Sequence, residues 1–442
     1  MRKYICMSML VIVLAIPLIF TGCGRSDGPE FGSLEHIMGV VMDNEVLEGL
    51  QEGFAELAEM VENVAQAQSQ VNETDTDPTT QASDDDGAEE ATEVPTEVYV
   101  RPIFPAITTV SVGSWHSIGL TADGQVYTWG SNTDGRLGMD AEDMEYYPVY
   151  IMNNIARIAA GATHSSAISN SGTLYMWGSN EHGELGTGDR NNSYAPVAVK
   201  ENVAYAALGY AFTAAITNDG VLYMWGRNWD GQLGDGSIIS RHEPVRIMED
   251  VIHVATGDRH TLAVAADNTL WAWGYGDMGQ LGTNARNTSH DPIMVRENVI
   301  AAAAGFQTGF ALDEGGTVWG WGRNAEGQLG NGRTANRQLD PVRVMDGVDY
   351  IASHWGTPLA IRDDGSLWIW GHNVRNQVGD GTTNNRSTPV RVLDNVISAS
   401  TGSNHTIAIL EDGSVWGWGL NERGQLGNGT TQNNTRPERV DE

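Results

Sequence analysis

Four histidines, His116, His164, His260 and His405, recur in one setting, G-x-x-H. Imidazole is the commonest metal ligand, so a recurring histidine invites a metal centre. A zinc site, however, needs its ligands to converge within about 2.1 Å of a single ion. These four are far apart in the chain, and Phe212, Thr308 and Thr357 hold the same place in other stretches. We therefore read them as structural hydrogen-bonding groups and expect no metal. A second candidate is "LYMWGRNWDGQLGDGS", residues 222–237, a strand-like run into a glycine-studded loop. Glycines in such a loop can let backbone N–H groups cradle a phosphate. Acidic pairs such as Asp363–Asp364 sit beside glycine, where a hairpin turn already calls for aspartate. There is no HExxH, no Ser/His/Asp order and no nucleotide fingerprint, so neither a catalytic residue nor a cofactor is expected.

The elements that carry these residues are repeated. A Trp-Gly pair begins at Trp129, Trp177, Trp225, Trp273, Trp321, Trp370 and Trp418, with every spacing 48 residues except one of 49. The glycine-rich stretch is thus the third of seven copies, and a feature present seven times is architecture before it is an active site. Each copy divides into four short strands, "VAYAAL", "TAAITN", "LYMWG" and "PVRIM" in the third. Glycine, asparagine and aspartate turns separate them, with "NDG" at 218–220 as a hairpin signal. Residues two apart on a strand share a face, so Tyr223 lies with Trp225 and Trp271 with Trp273, opposite smaller neighbours such as Ala272. An aromatic face against a smaller-residue face suits sheets stacked around a ring. After each third strand, Leu137, Leu185, Leu233, Leu281, Leu329, Val378 or Leu426 gives one apolar plug between glycines. The first copy continues as "GMDAEDMEYYP", losing a glycine, and its loop is expected to be remodelled.

The pattern GxxHS/T…GxLYxWGxNxxGQLGxG resembles the regulator of chromosome condensation repeat. The resemblance covers residues 98–442 and all seven copies, and it implies an all-β fold: a seven-bladed β-propeller of four-stranded blades. Radial repetition leaves few exposed strand edges. An open β-solenoid would need capping ends, which the sequence does not show. Rings of this family usually close by joining N- and C-terminal strands in one blade, which here points to residues 98–104 and 437–440.

Upstream of the repeats the chain changes character. Arg2 and Lys3 precede an apolar run from Tyr4 to Phe20 and the small residues before Cys23. "LIFTGC" resembles the lipobox of bacterial lipoproteins, with Phe20 where that pattern usually has leucine. The resemblance implies a signal peptide over 1–22, lipidation of Cys23, and a chain held on the extracytoplasmic face of a bacterial cell membrane. An uncleaved signal anchor is the alternative, and the run is short for a spanning helix. A tether follows over 23–33. Within 34–71, Leu47, Leu50, Phe54, Leu57, Val61 and Val64 fall at heptad spacing, predicting an amphipathic helix. Its seam suits an oligomer through residues 47–64, or equally packing on the propeller or the membrane. The acidic stretch 72–97 cannot bury enough apolar surface to order itself and reads as a disordered linker.

Charge and cysteine usage narrow the function. The 442-residue chain has a net charge of −32, which opposes phosphate backbones and makes nucleic acid a poor partner. Its two cysteines, Cys6 and Cys23, precede the repeats, so the repeats hold neither a disulfide nor a cysteine-ligated zinc. The functional signal lies where the copies differ. The two residues after the repeat's glycine are expected on one rim of the ring, and there Trp115, Tyr210, Arg259, Phe306 and Trp355 occur, with Trp229 an odd residue in its own loop. Architecture does not demand aromatics at variable positions, and exposed rings and arginines are typical binding anchors. Packing of these rings against neighbouring loops is the other reading. The expectation is a membrane-anchored, non-enzymatic protein-interaction or ligand-binding module for an unknown protein or cell-wall partner. The resemblance also offers guanine-nucleotide exchange on a small GTPase, although no exchange-specific residues match numbered positions. Inhibition of a secreted enzyme is a special case of binding. Plant ultraviolet receptors of similar frame repeat tryptophan in the GxxHT segment, whereas here only Trp115 does so.

Overall fold

The computed structural model describes residues 104–140 and 143–441. The expected signal peptide with Cys23, the tether, the 34–71 helix and the acidic linker lie outside the described residues. Among the described residues, 28 strands form seven four-stranded antiparallel sheets, each from consecutive strands. Blade three comprises Val203–Leu208, Phe212–Thr217, Leu222–Gly226 and Arg241–Met248, close to the four segments that the turns predicted. First strands of neighbouring blades meet around the axis. Second strands are buried along their length, as in Phe212–Thr217, because strands flank both edges and blades cover both faces. Fourth strands form the perimeter and are half exposed. Each carries one proline, Pro148, Pro196, Pro244, Pro292, Pro341, Pro389 or Pro437. Proline has no N–H to offer, so these outer edges make poor templates for a further strand.

The seams between blades pair unlike faces. Between blades two and three, Ile168, Leu174, Met176 and Leu185 pack against Ala215, Tyr223 and Trp225. Between three and four, Leu222, Met224 and Leu233 pack against Ala263, Trp271 and Trp273. All seven Trp-Gly tryptophans are at most 1% exposed, and burying each contributes on the order of 2–3 kcal/mol. Each indole N–H also donates across a seam to the carbonyl just before the previous blade's apolar plug. Trp225 reaches Glu184 at 2.9 Å, Trp273 reaches Gln232 at 3.0 Å and Trp321 reaches Gln280 at 2.8 Å. The glycine after the plug is what lets the indole approach. At Gly234, φ is +74° and a Cβ would stand 2.6 Å from Trp273 Nε1.

Hydroxyls and histidines add a second tie at some seams. Ser165 donates to the Arg136 carbonyl at 2.8 Å, and His116 Nε2 lies 2.8 Å from the same hydroxyl. The hydroxyl proton is committed to the carbonyl, so the oxygen accepts from a protonated Nε2. His164 bonds Thr213 in this way at 2.9 Å, and His405 bonds Ser117 at 3.0 Å. These bonds link blades rather than strands of one blade. His260 has no such partner because Gly309 stands opposite it.

Closure differs from the expected shared strand. The last strand, Asn434–Arg439, is the fourth of blade seven, and the first blade begins its own first strand at Ile107. Among the described residues every blade has four consecutive strands of its own, and residues 98–103 lie outside them. Blades seven and one meet as blades one and two do: Trp129 donates to the Gln425 carbonyl at 3.0 Å, and Ser117 donates to the same carbonyl at 2.9 Å. Phe104 sits edge-on to Trp129 at 6.2 Å. The loop of copy one is remodelled as expected, with a short 3-10 turn over Thr133–Gly135 and a lengthened outer strand, Met144–Met152. The outer strand of blade five, Ala335–Met345, is longer, at eleven residues, than the outer strands of the other blades.

Two measurements test this packing. Gly234→Ala should lower stability by about 2–4 kcal/mol in urea denaturation, from overpacking against Trp273 and the cost of a left-handed residue. Burial lowers the pKa of His164 and His405 to about 3 and that of His260 to about 4. An unfolded histidine takes up its proton near pH 6.5, so between about 6.5 and 4 the unfolded chain binds more protons. The melting temperature should therefore be flat above pH 7 and fall as pH drops through that window. His164→Asn should make the fall shallower.

Candidate binding rim

The variable pairs sit on tight turns between first and second strands. In six of the seven turns a glycine N–H bonds the carbonyl three residues on, as from Gly209 to Phe212 and from Gly257 to His260, both at 2.9 Å, and in blade six His354 takes the place of the glycine. The two intervening residues are thereby pushed to the rim. A second variable column follows the Trp-Gly pair and is tied to the first by backbone bonds. The N–H of Arg227 donates to the Ala211 carbonyl at 2.8 Å, Tyr275 to Arg259 at 2.8 Å, Arg323 to Gln307 at 2.9 Å and His372 to Gly356 at 2.9 Å.

These columns give the rim two unlike halves. Blades three to six carry Tyr210, Asp258–Arg259, Phe306–Gln307 and Trp355 in the first column, and Arg227, Tyr275, Arg323 and His372 in the second. Blades seven, one and two carry Ser403–Asn404, Ser114–Trp115 and Ala162–Thr163, then Leu420, Ser131 and Ser179. The bonds between the two columns recur in both halves, although among these turn residues only Ala211 and Trp355 take a positive φ, +61° and +54°.

The structure brings most of the expected rim residues together. Tyr210, Asp258, Phe306 and Trp355 line one small cavity. The Phe306 and Trp355 rings lie 4.5 Å apart. Tyr210 is 41% exposed, Trp355 39% and Trp229 58%. Trp229 joins through Arg227, whose guanidinium lies 4.5 Å from its ring and 5.8 Å from that of Tyr210. Arg259 bonds Asp258 at 3.2 Å, comes within 3.9 Å of Asp230 and lies 5.5 Å from the Tyr275 ring. Burial pushes the Asp258 carboxyl pKa up, while Arg259 and Arg227 oppose the shift. Trp115, in blade one, is half-buried and does not line this cavity. Arg227, Asp230, Tyr275 and His182, which stacks edge-on with Trp229 at 5.0 Å, escaped the sequence reading. The variability of the residue after each Trp-Gly pair was the signal that could have found Arg227 and Tyr275.

The four recurring histidines sit in separate blades, three of them tied to hydroxyls of the next blade. Among the described residues no group of three or more His, Cys, Asp or Glu side chains could hold a metal ion. The glycine-rich loops are filled by their own chain: the Asn228 side chain accepts from the Leu233 N–H at 2.9 Å and donates to Asp235 at 3.0 Å.

Comparison with known proteins places this architecture. Yeast RCC1 (Prp20), solved with Kap60 bound, superposes with a TM-score of 0.65 at 20% identity, covering 80% of this chain and 91% of that one. Prp20p from Saccharomyces cerevisiae, in a second structure, gives 0.65 at 23% identity over 73% and 87%. Human WBSCR16 gives 0.64 at 22% over 69% and 87%. A probable E3 ubiquitin-protein ligase of Homo sapiens, HERC3, is 53% identical over 36 residues, which span 8% of this chain and 3% of that protein. The RCC1-like domain model matches residues 77–309 and 197–442. With that match across the repeats and seven blades to carry it, the chain belongs to the RCC1-like domain family.

Proposed function

We propose that the propeller is a non-catalytic protein-binding module that engages its partner through the rim of blades three to six. The carrying observation is the asymmetry of the two variable columns: the arginines and every ring but Trp115 gather on one half, while the bonds between the columns recur in every blade. Tryptophan, tyrosine and arginine dominate the energetics of protein interfaces because they bury large, stiff, amphipathic surfaces. A protein partner also agrees with the solved neighbours, since the Prp20p structure names Gsp1p and histones as what that protein binds. At such identity the likeness is one of fold, so nucleotide exchange on a GTPase gains no residue-level support here. Inhibition of a secreted enzyme remains one form of the same binding. The acidity of the chain opposes nucleic acid as a partner.

We further propose that Cys23 anchors the chain by lipidation at the extracytoplasmic face of a bacterial membrane, with the acidic stretch as spacer. Support comes from the basic start, the apolar run and the small residues before Cys23. Several acyl chains would hold the protein stably, at about 0.8 kcal/mol per buried methylene.

Cross-linking capture from intact cells, with the full chain as bait, tests the rim. Tyr210→Ala and Trp355→Ala should each weaken capture about tenfold with little change in melting temperature, while Trp115→Ala retains it. Equal capture by all three would overturn the rim assignment. For the anchor, cells fed a clickable fatty acid should label the wild-type chain and leave Cys23→Ser unlabelled.

A further inference from the structure

Two seams lack both the hydroxyl and the histidine tie: that between blades four and five, where Gly309 faces His260, and that between blades five and six. At the junction of blades five and six, Thr308 stands where His116, His164, His260 and His405 stand elsewhere. Opposite it, Pro358 replaces the hydroxyl that Ser117, Ser165, Thr213, Thr261 and Thr406 each donate to a carbonyl across their seams. The seam holds a cavity of about 120 Å³ lined by residues that include Phe306, Gln307, Thr308, Glu326, Trp355 and His372. Phe306 and Trp355, whose rings lie 4.5 Å apart at 36°, supply aromatic walls.

Arg323, Glu326, Gln328 and His372 of this lining are hydrogen-bonded, but two of its polar atoms are not. Thr308 is 1% exposed and its Oγ1 has no hydrogen-bond partner, nor has the buried Oε1 of Gln307. The Ser353 hydroxyl is likewise without a partner. A Cβ on Gly305 would lie 2.5 Å from Thr308 Oγ1 and 2.8 Å from Ser353 Oγ, so the two hydroxyls gather about that glycine. Buried polar atoms are nearly always paired in native proteins, so a cluster of unpaired ones calls for a ligand group.

The lining also selects the ligand. Gln307 Oε1 can only accept, and the hydroxyls can accept as well. An aromatic face attracts a cation. The one cation in the wall, Arg323, is neutralised by Glu326 at 2.6 Å, and the chain as a whole is strongly acidic. A guanidinium meets all of these conditions: planar, cationic and composed only of donors. We propose that this cavity is the subsite for an arginine side chain of the partner, stacked on Trp355 and donating to Gln307 Oε1 and Thr308 Oγ1. The proposal rests on the reading of the rim as a protein-binding surface and specifies what one part of it takes.

The test is calorimetric titration of the full chain with acetyl-Gly-Arg-Gly-amide, compared with its citrulline and lysine counterparts. The arginine peptide should bind, the citrulline peptide at least tenfold more weakly and the lysine peptide several-fold more weakly. Thr308→His combined with Pro358→Ser rebuilds the tie used at other seams and fills the cavity. This variant should lose binding at least tenfold with an unchanged or higher melting temperature. If it does not fold, Gln307→Met should show the same loss. Absence of arginine binding at millimolar peptide, equal binding of citrulline, or full binding by the filled variant would overturn the subsite. If the peptide fails to bind while Tyr210→Ala and Trp355→Ala still lose the partner, only the subsite falls. If the peptide binds while those variants keep the partner, only the wider rim reading falls.

Discussion

The ring depends on one contact made seven times: a buried indole donating its N–H to a carbonyl of the neighbouring blade. The tryptophan does two things that are hard to combine. It buries a large apolar surface against the next sheet, and it donates to a loop carbonyl inside the seam. The price is a backbone that must pass within touching distance of the ring, which only glycine allows at Gly234 and its equivalents. Plug, glycine and tryptophan are therefore one device, distributed over two blades, and none of the three can be changed alone.

That device frees the rest of the chain. The turns on the rim also touch across seams, the Phe306 N–H reaching the Trp355 carbonyl at 2.6 Å and Ser403 donating to Ser114 at 2.9 Å. Two residues of each turn nevertheless vary in type while the bond to the second column persists, as from Arg227 to Ala211 and from His372 to Gly356. The rim can therefore hold small polar residues on one arc and rings with arginines on the other. The same tolerance admits Thr308 and Pro358 at a seam that still has its indole bond, Trp370 to the Gln328 carbonyl at 2.9 Å.

Much of the fold was legible in the sequence because it is written seven times. Period, strand order and facing of Tyr223 with Trp225 follow from repetition and from the two-residue alternation of strands. Closure was not legible, because the sequence does not say whether the chain ends on a complete blade or a partial one. The rim was read in part. Tyr210, Phe306 and Trp355 stood out as rings in a variable column, but Trp115, singled out by the same rule, lies in the other half. Arg227 was missed because arginine on a strand end draws no notice until its position between Trp229 and Tyr210 is seen. The unsealed seam needed the structure as well, since the meaning of Pro358 depends on the carbonyl that it fails to meet.

The seam between blades seven and one has a consequence of its own. It carries the same indole and hydroxyl bonds as the seam between blades one and two, and among the described residues both of its blades are built from consecutive strands. Where the polypeptide starts and stops around the circle is then a matter of gene order rather than of mechanics. A circular permutant, with its old ends joined and new ones opened between any two blades, would keep every interaction that holds the wheel together.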